Sequence, residues 1–137
     1  MSVYYLYEKL KEDYIMYIEN TKLEDIVAPQ NLVEDIMARQ GLECTGAWDY
    51  DRKTFDRRFD VREGRYYLRV FTYAKSGDVG AHNAELCILK PVIGKYYYPH
   101  GVEYGEDEVF PTHLVKKCEE LLANVQKDFA EMGIAAQ

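Results

Sequence analysis

The stretch TFDRRFDVREGRYYLRVFTYA, residues 54–74, decides the fold class of this chain. From Thr54 to Val61, large side chains alternate with polar ones, a period of two that is typical of a half-buried strand. Residues 65–74 are apolar or aromatic on both faces, which is typical of a strand in the middle of its sheet. Glu63 and Gly64 between them have the residue types of a turn. The stretch therefore predicts two antiparallel strands at the centre of the fold.

Three further strands are predicted around this pair. Residues 42–50 have a period of two, and residues 84–90 form an apolar run that Pro91 ends. Residues 15–27 alternate loosely between branched or aromatic side chains and polar ones, which indicates a first strand.

Two helices are predicted from apolar residues at a spacing near 3.6. In PQNLVEDIMARQGL, residues 29–42, Pro29 suits the first turn, and Asn31 with Glu34 suits a capping box. Gly41 then indicates a Schellman-type end. The second helix is predicted to begin at Phe110-Pro111 and to end at Gly133. Its apolar stripe comprises Leu114, Val115, Cys118, Leu121, Leu122, Val125, Phe129 and Met132.

These elements predict a single α+β domain: an antiparallel meander of about four to five strands with two main helices packed on one face. Residues 1–15 are predicted to be an N-terminal extension, and residues 16–137 form the domain.

Composition excludes several function classes. The net charge is −7, from 17 basic and 24 acidic residues, which disfavours binding to nucleic acid and to anionic membrane surfaces. No apolar run approaches the roughly eighteen residues of a membrane span, and the first residues do not have the pattern of a secretory signal. Three separated cysteines form no CxxC pair, so a reduced, cytoplasmic protein is expected.

Five strings in this order resemble the YugN-like family of small bacterial proteins: GAWDYDRKTFDRRFDV, YYLR, GDV, PVIGKYYYPHGVEYGE and FPTHLVKK. The resemblance covers the chain from about Met16 to the end of the last helix. It implies a bacterial cytoplasmic protein with an α+β fold. It assigns neither an activity nor a catalytic residue to this chain, because the family has no assigned function.

The segment GKYYYPHGVEYGEDEVFP, residues 94–111, is the predicted position of any binding site. Its glycines and Pro99 interrupt every regular period, so it is expected to be an ordered surface loop, where binding residues concentrate. His100, Glu103, Tyr104 and Tyr98 are its candidate ligand contacts. Tyrosines that anchor a connection and acids that serve a helix N-terminus explain the same composition without any ligand.

Arg57 is the remaining candidate, because it lies on the otherwise apolar face of its strand. It is expected either to pair with a carboxylate such as Glu85 or to bind an anionic ligand in a pocket.

The leading hypothesis is a non-enzymatic binding or regulatory domain that acts through a protein partner or a small ligand. No cofactor and no membrane contact are predicted, and a homo-oligomer is compatible with the sequence. One alternative is a metal-assisted or acid–base enzyme that uses His100 and Glu103, with His113 as a third metal ligand. A second alternative is an RNA-contacting sheet around Arg58 to Tyr67, where arginines and aromatics interleave.

Overall fold

The structure, a computed structural model, describes residues 15–44, 51–79, 83–95 and 110–135. The predicted extension up to residue 14 lies outside the described residues, and so does the segment 96–109 with Tyr98, His100, Glu103 and Tyr104. The strands are β1 (Ile15–Tyr17), β2 (Val27–Pro29), β3 (Glu43–Cys44), β4 (Arg52–Val61), β5 (Gly64–Ser76), β6 (Glu85–Ile88) and β7 (Val92–Lys95). The helices are α1 (Gln30–Arg39) and α2 (Thr112–Glu131).

The predicted central pair is confirmed as the hairpin β4–β5. β4 pairs with β5 over its full length, from Arg52 opposite Tyr73 to Val61 opposite Gly64. Phe55 and Val70 face each other on the buried side, whereas Asp56 and Arg69 face each other on the opposite side. The alternation in the sequence therefore corresponds to the two faces of the sheet.

Two short strands, β7 and β6, lie one after the other along the other edge of β5. β7 pairs with Tyr66 to Arg69, and β6 pairs with Thr72 to Ser76. The row is interrupted where Pro91, which has no N–H to donate, separates the two strands. The end of β6 at this proline is as predicted from the sequence, whereas β7 was not predicted as a strand.

The outermost row is also split, because β1 pairs with β7 and β2 pairs with β6. The single strand predicted over residues 15–27 is therefore wrong. Asn20, Lys22 and Asp25 have positive φ values of 62°, 61° and 71°, and these turn the chain out of the sheet between β1 and β2. Over the described residues, the antiparallel sheet has seven strands in the five rows β3, β4, β5, β6 with β7, and β1 with β2, in agreement with the predicted antiparallel sheet of about four to five strands.

Both helices pack on one face of this sheet and complete the core. α1 buries Val33, Ile36 and Met37. The buried residues of α2 are Leu114, Cys118, Leu121, Leu122, Val125 and Phe129. Met132 is 58% exposed, in contrast to its predicted place in the stripe, because the helix ends at Glu131. Among the described residues, no helix is both long enough and apolar enough to cross a membrane.

The start of α1 differs from the predicted capping box. Pro29 is the last residue of β2 and takes the N-cap position, so Gln30 rather than Asn31 opens the helix, and no side chain caps it. The Gln30 N–H donates to the carbonyl of Ala84 at 3.0 Å. Glu34 accepts hydrogen bonds from the side chains of Gln30 and Lys53 instead of serving a cap.

The end of α1 is the predicted Schellman motif. Gly41 has φ 74°, its N–H donates to Ala38, and the N–H of Leu42 donates to Met37. α2 ends in the same way, with Gly133 at φ 76° and with Ile134 donating to Phe129.

Candidate functional site

The described residues that flank the predicted binding segment come together over Tyr66. Lys95 pairs with Tyr66 across β5 and β7, and its Nζ lies 5.8 Å from the centroid of the tyrosine ring. Phe110, at the other flank, has its ring centroid 5.8 Å from that of Tyr66. Tyr66 itself is only 1% exposed. The two described residues that flank the segment therefore lie beside one buried aromatic side chain.

Arg57 pairs with Leu68, two residue pairs along the ladder from Tyr66, and so lies on the same side of the sheet as Tyr66. It is half-buried, and its Nη1 donates a 2.9 Å hydrogen bond to the carbonyl oxygen of Gln40, the C-cap residue of α1. The guanidinium carbon also lies 4.9 Å from the centroid of the Phe59 ring. The negative end of the helix dipole thus offsets part of the charge of Arg57.

The expected ion pair between Arg57 and Glu85 does not form. Glu85 is exposed at the start of β6, where it pairs with Pro29 and with Ser76 near the far end of β5. Within the described part of the chain, no carboxylate lies within 4.0 Å of the guanidinium of Arg57.

Lys117 is a second cation at this position, although the sequence did not mark it as a candidate site residue. It extends from the second turn of α2, and its Nζ lies 5.9 Å from the centroid of the same Phe59 ring. No carboxylate of the described residues lies within ion-pair distance of its Nζ. Arg57, from the sheet, and Lys117, from α2, thus each lie beside the Phe59 ring, and they are called the cationic pair below.

The arginines on the opposite face of the sheet are arranged differently. Arg69 holds Asp56 through two hydrogen bonds of 2.6 and 2.8 Å, and Arg58 and Arg65 share Asp60. The hydrogen bonds from Arg58 and Arg65 lower the pKa of Asp60. The residues of the RNA hypothesis thus have carboxylates beside them, which reduces the positive charge that this face presents to phosphate.

His113, which lies in the first turn of α2, contacts the carboxylate of Glu63. Its Nε2 lies 2.7 Å from Oε2 of Glu63, in the turn between β4 and β5, and this hydrogen bond lowers the pKa of Glu63. The two side chains tie the helix to the hairpin turn. Over residues 15–44, 51–79, 83–95 and 110–135, no group of three or more His, Cys, Asp and Glu side chains is placed to hold a metal ion.

The three cysteines differ in exposure, and this determines which thiols can react. All three are free; Cys44 is exposed, whereas Cys87 and Cys118 are buried. Burial raises the pKa of Cys118 to about 12, although Arg57 and Lys117 act in the opposite direction. The Cys118 thiol is therefore protonated at neutral pH and unsuited to nucleophilic catalysis.

Comparisons with known proteins agree with this architecture. The sequence profile described as "YugN-like family" matches residues 19–135. The uncharacterized protein YlbA of Bacillus subtilis is 44% identical over 103 residues, which cover 75% of this chain and 86% of YlbA. The uncharacterized protein YugN of the same organism is 28% identical over 71 residues, covering 52% of this chain and 53% of YugN.

A solved structure has the same fold. The crystal structure of the uncharacterized conserved protein YugN from Geobacillus kaustophilus aligns with a TM-score of 0.76 at 41% identity. The alignment covers 86% of this chain and 97% of that one. The resemblance seen in the sequence strings is confirmed, and this chain belongs to the YugN-like family.

Proposed function

We propose that this chain is a non-enzymatic, cytoplasmic binding domain whose ligand site lies beside Tyr66, next to Lys95 and Phe110, the described residues that flank the segment 96–109. The observation that carries the proposal is the half-buried Arg57, which has a backbone carbonyl but no carboxylate among the described residues as its hydrogen-bond partner.

An arginine in this position is unusual. Partly buried guanidinium groups are normally paired, because removal of a charge from water is costly. Arg57 uses one of its five N–H groups on Gln40, which leaves donors for a bound group. In contrast, Arg69 has a bidentate carboxylate partner on the other face. The difference supports a role for Arg57 in binding.

The segment 96–109 supplies the other proposed contacts. Tyr98, His100, Glu103 and Tyr104 are the polar groups that we assign to the ligand. Binding residues are often found in segments beside a rigid frame, and the flanking residues Lys95 and Phe110 both lie against Tyr66.

The protonated Cys118 and the pairing of His113 with Glu63 support a binding role over catalysis by these two side chains. Free cysteines, two of them buried, support a reducing compartment and hence the cytoplasm.

The test is a thermal-shift screen of the purified protein against a library of small cellular metabolites. A metabolite that binds at the proposed site raises the melting temperature of the wild type, and His100→Ala and Glu103→Ala abolish this increase. Glu131→Ala, an exposed carboxylate at the far end of α2, is the matched control and retains it.

Two outcomes contradict the proposal. One is a marked loss of melting temperature in both ligand-free loop variants, which would make the pair an internal brace. The other is chemical turnover of a stabilising metabolite, detected by mass spectrometry, which would make the protein an enzyme.

A further inference from the structure

We infer that this site binds the oxyanion group of a small molecule, a carboxylate or a phosphate, through Arg57 and Lys117 together. The inference rests on the proposed function and deepens it: it assigns the chemical class of the ligand and adds Lys117 as a direct contact.

Arg57 and Lys117 approach the same aromatic ring from different elements of the fold. Arg57 reaches Phe59 from the middle of β4, and Lys117 reaches the same ring from the second turn of α2. The two residues come from different layers of the fold, so their positions are fixed by the packing of α2 on the sheet. Because both cations lie beside the same ring without movement of either layer, one anion bound beside that ring is inferred to contact both.

Charge balance is a further argument for the inference. The chain has 24 acidic residues against 17 basic ones, and carboxylates lie against several of its cations, including Arg39, Lys53, Arg69 and Lys90. Arg57 and Lys117 have no carboxylate at that distance within the described residues. An anion placed between two like charges offsets their mutual repulsion.

Arg57 and Lys117 also act on the same buried thiol of the core. Arg57 and Lys117 both favour the charged form of the buried Cys118 thiol, although burial outweighs them. Their fields therefore overlap at one place between α2 and β4. An oxyanion at the surface above it would experience both charges.

Arginine is also the residue type that suits this ligand class. Its planar guanidinium can present two parallel N–H groups to a carboxylate or a phosphate, whereas lysine acts as a point charge. With Nη1 of Arg57 committed to Gln40, Nε and Nη2 form the pair of donors that remains. Lys117 adds the second charge.

The experiment is an NMR titration of the full-length protein with inorganic phosphate and, separately, with succinate, at constant ionic strength. The readouts are the Nε–Hε resonance of Arg57 and the backbone amide of Lys117. Wild type should show saturable shifts at both positions. The probe that binds more tightly identifies the oxyanion as a phosphate or as a carboxylate.

Variants separate specific contact from general electrostatics. Lys117→Met should weaken binding of the preferred probe by about two- to fivefold, as expected for an exposed charge contact. Lys116→Met removes an equal charge from the neighbouring exposed position and should leave the affinity unchanged. Arg57→Gln should weaken binding by about tenfold or more, because a charge-assisted hydrogen bond is lost.

If Arg57→Gln fails to fold, the comparison of Lys117→Met with Lys116→Met still decides the question, since both lysines are exposed. The inference is overturned if neither probe gives saturable shifts, or if the two lysine variants weaken binding equally. An uncharged metabolite that binds with dependence on His100 would also overturn it, while leaving the proposed function intact.

Discussion

Arg57 donates a 2.9 Å hydrogen bond to the carbonyl oxygen of Gln40, and this bond joins the middle of β4 to the C-terminal end of α1. The bond satisfies a carbonyl that the helix itself leaves free, and it places a positive charge where the helix dipole favours one. It also fixes the guanidinium beside Phe59, so the same contact that stabilises the helix end positions the proposed binding group.

The glycine next to this bond provides a test of the packing. A Cβ at Gly41 would lie 3.3 Å from Cδ of Arg57, whereas a Cβ at Gly133 would have no atom within 4 Å. Both residues have positive φ, which costs any other residue about 1–2 kcal/mol. We therefore expect Gly41→Ala to reduce the free energy of unfolding in urea more than Gly133→Ala does. Equal losses would show that Arg57 moves aside without cost.

The buried stripe of α2 predicts a large difference between two positions of the same helix. Leu122 is fully buried, and its truncation to alanine should cost about 2–5 kcal/mol through lost transfer energy and the cavity that remains. Lys127 is exposed, so Lys127→Ala should change the free energy of unfolding little. Chemical denaturation of both variants measures the difference. Small, equal effects would contradict the packing of α2 on the sheet.

The two aspartates of β4 should differ in the same assay. Asp56 has an 8% exposed side chain and a bidentate contact with Arg69, so Asp56→Ala should cost about 1–3 kcal/mol by leaving a partner unsatisfied. Asp60 is 56% exposed, so Asp60→Ala should have the smaller effect. The larger loss in Asp60→Ala would mean that the pair of Asp56 and Arg69 contributes little.

The pH dependence of Asp60 has a definite sign. Arg58 and Arg65 lower its pKa in the folded chain, so the carboxylate stabilises the fold at neutral pH. This contribution should disappear as pH falls below the ordinary carboxyl value of 3.8 and through the lower folded pKa. The difference in stability between wild type and Asp60→Asn should therefore shrink on acidification. A difference that grows as pH falls would contradict the assignment.

The cysteines should separate by reactivity. Cys44 is exposed, whereas burial raises the pKa of Cys118 to about 12 from an ordinary value of 9.0. In the native protein at pH 8, a thiol reagent should label Cys44 rapidly, and Cys87 and Cys118 only after denaturation. Mass spectrometry of the labelled peptides gives the order, with Cys44→Ser as the control. Rapid labelling of Cys118 would contradict its burial beneath the cationic pair.

The central hairpin and the long helix were predictable because their signals are local. Phe55 and Phe59 repeat at the strand period, and Leu114 to Phe129 repeat at the helix period, each over a stretch long enough to exclude the other structure. The ends at Gly41 and Gly133 were predictable for a similar reason, since both positions require a positive φ that glycine adopts easily.

Other features depend on contacts between distant residues. The break between β1 and β2 uses Asn20, Lys22 and Asp25 at positive φ, and none of them is the glycine that would have marked a turn. α1 begins at Gln30 because Pro29 pairs with Glu85 as the last residue of β2. Asn31 therefore lies inside the helix and does not act as its N-cap.

The residues of the proposed site also depend on contacts between distant parts of the chain. Arg57 stood out in the sequence as a charge on an apolar face, but its partner Gln40 is a backbone carbonyl and has no sequence signature. Lys117 could not be identified, because only the packing of α2 on the sheet brings it to Phe59. The contacts proposed for His100, Glu103, Tyr98 and Tyr104 remain predictions.

The most direct test of the binding proposal is a comparison of ¹H–¹⁵N spectra of the protein with and without the small-molecule fraction of a bacterial cell extract. The proposal predicts saturable shifts that cluster at Arg57, Lys95, Phe110 and Lys117, and that disappear when the extract is dialysed away. Unchanged spectra, or shifts confined to the opposite face around Tyr67 and Arg69, would contradict it.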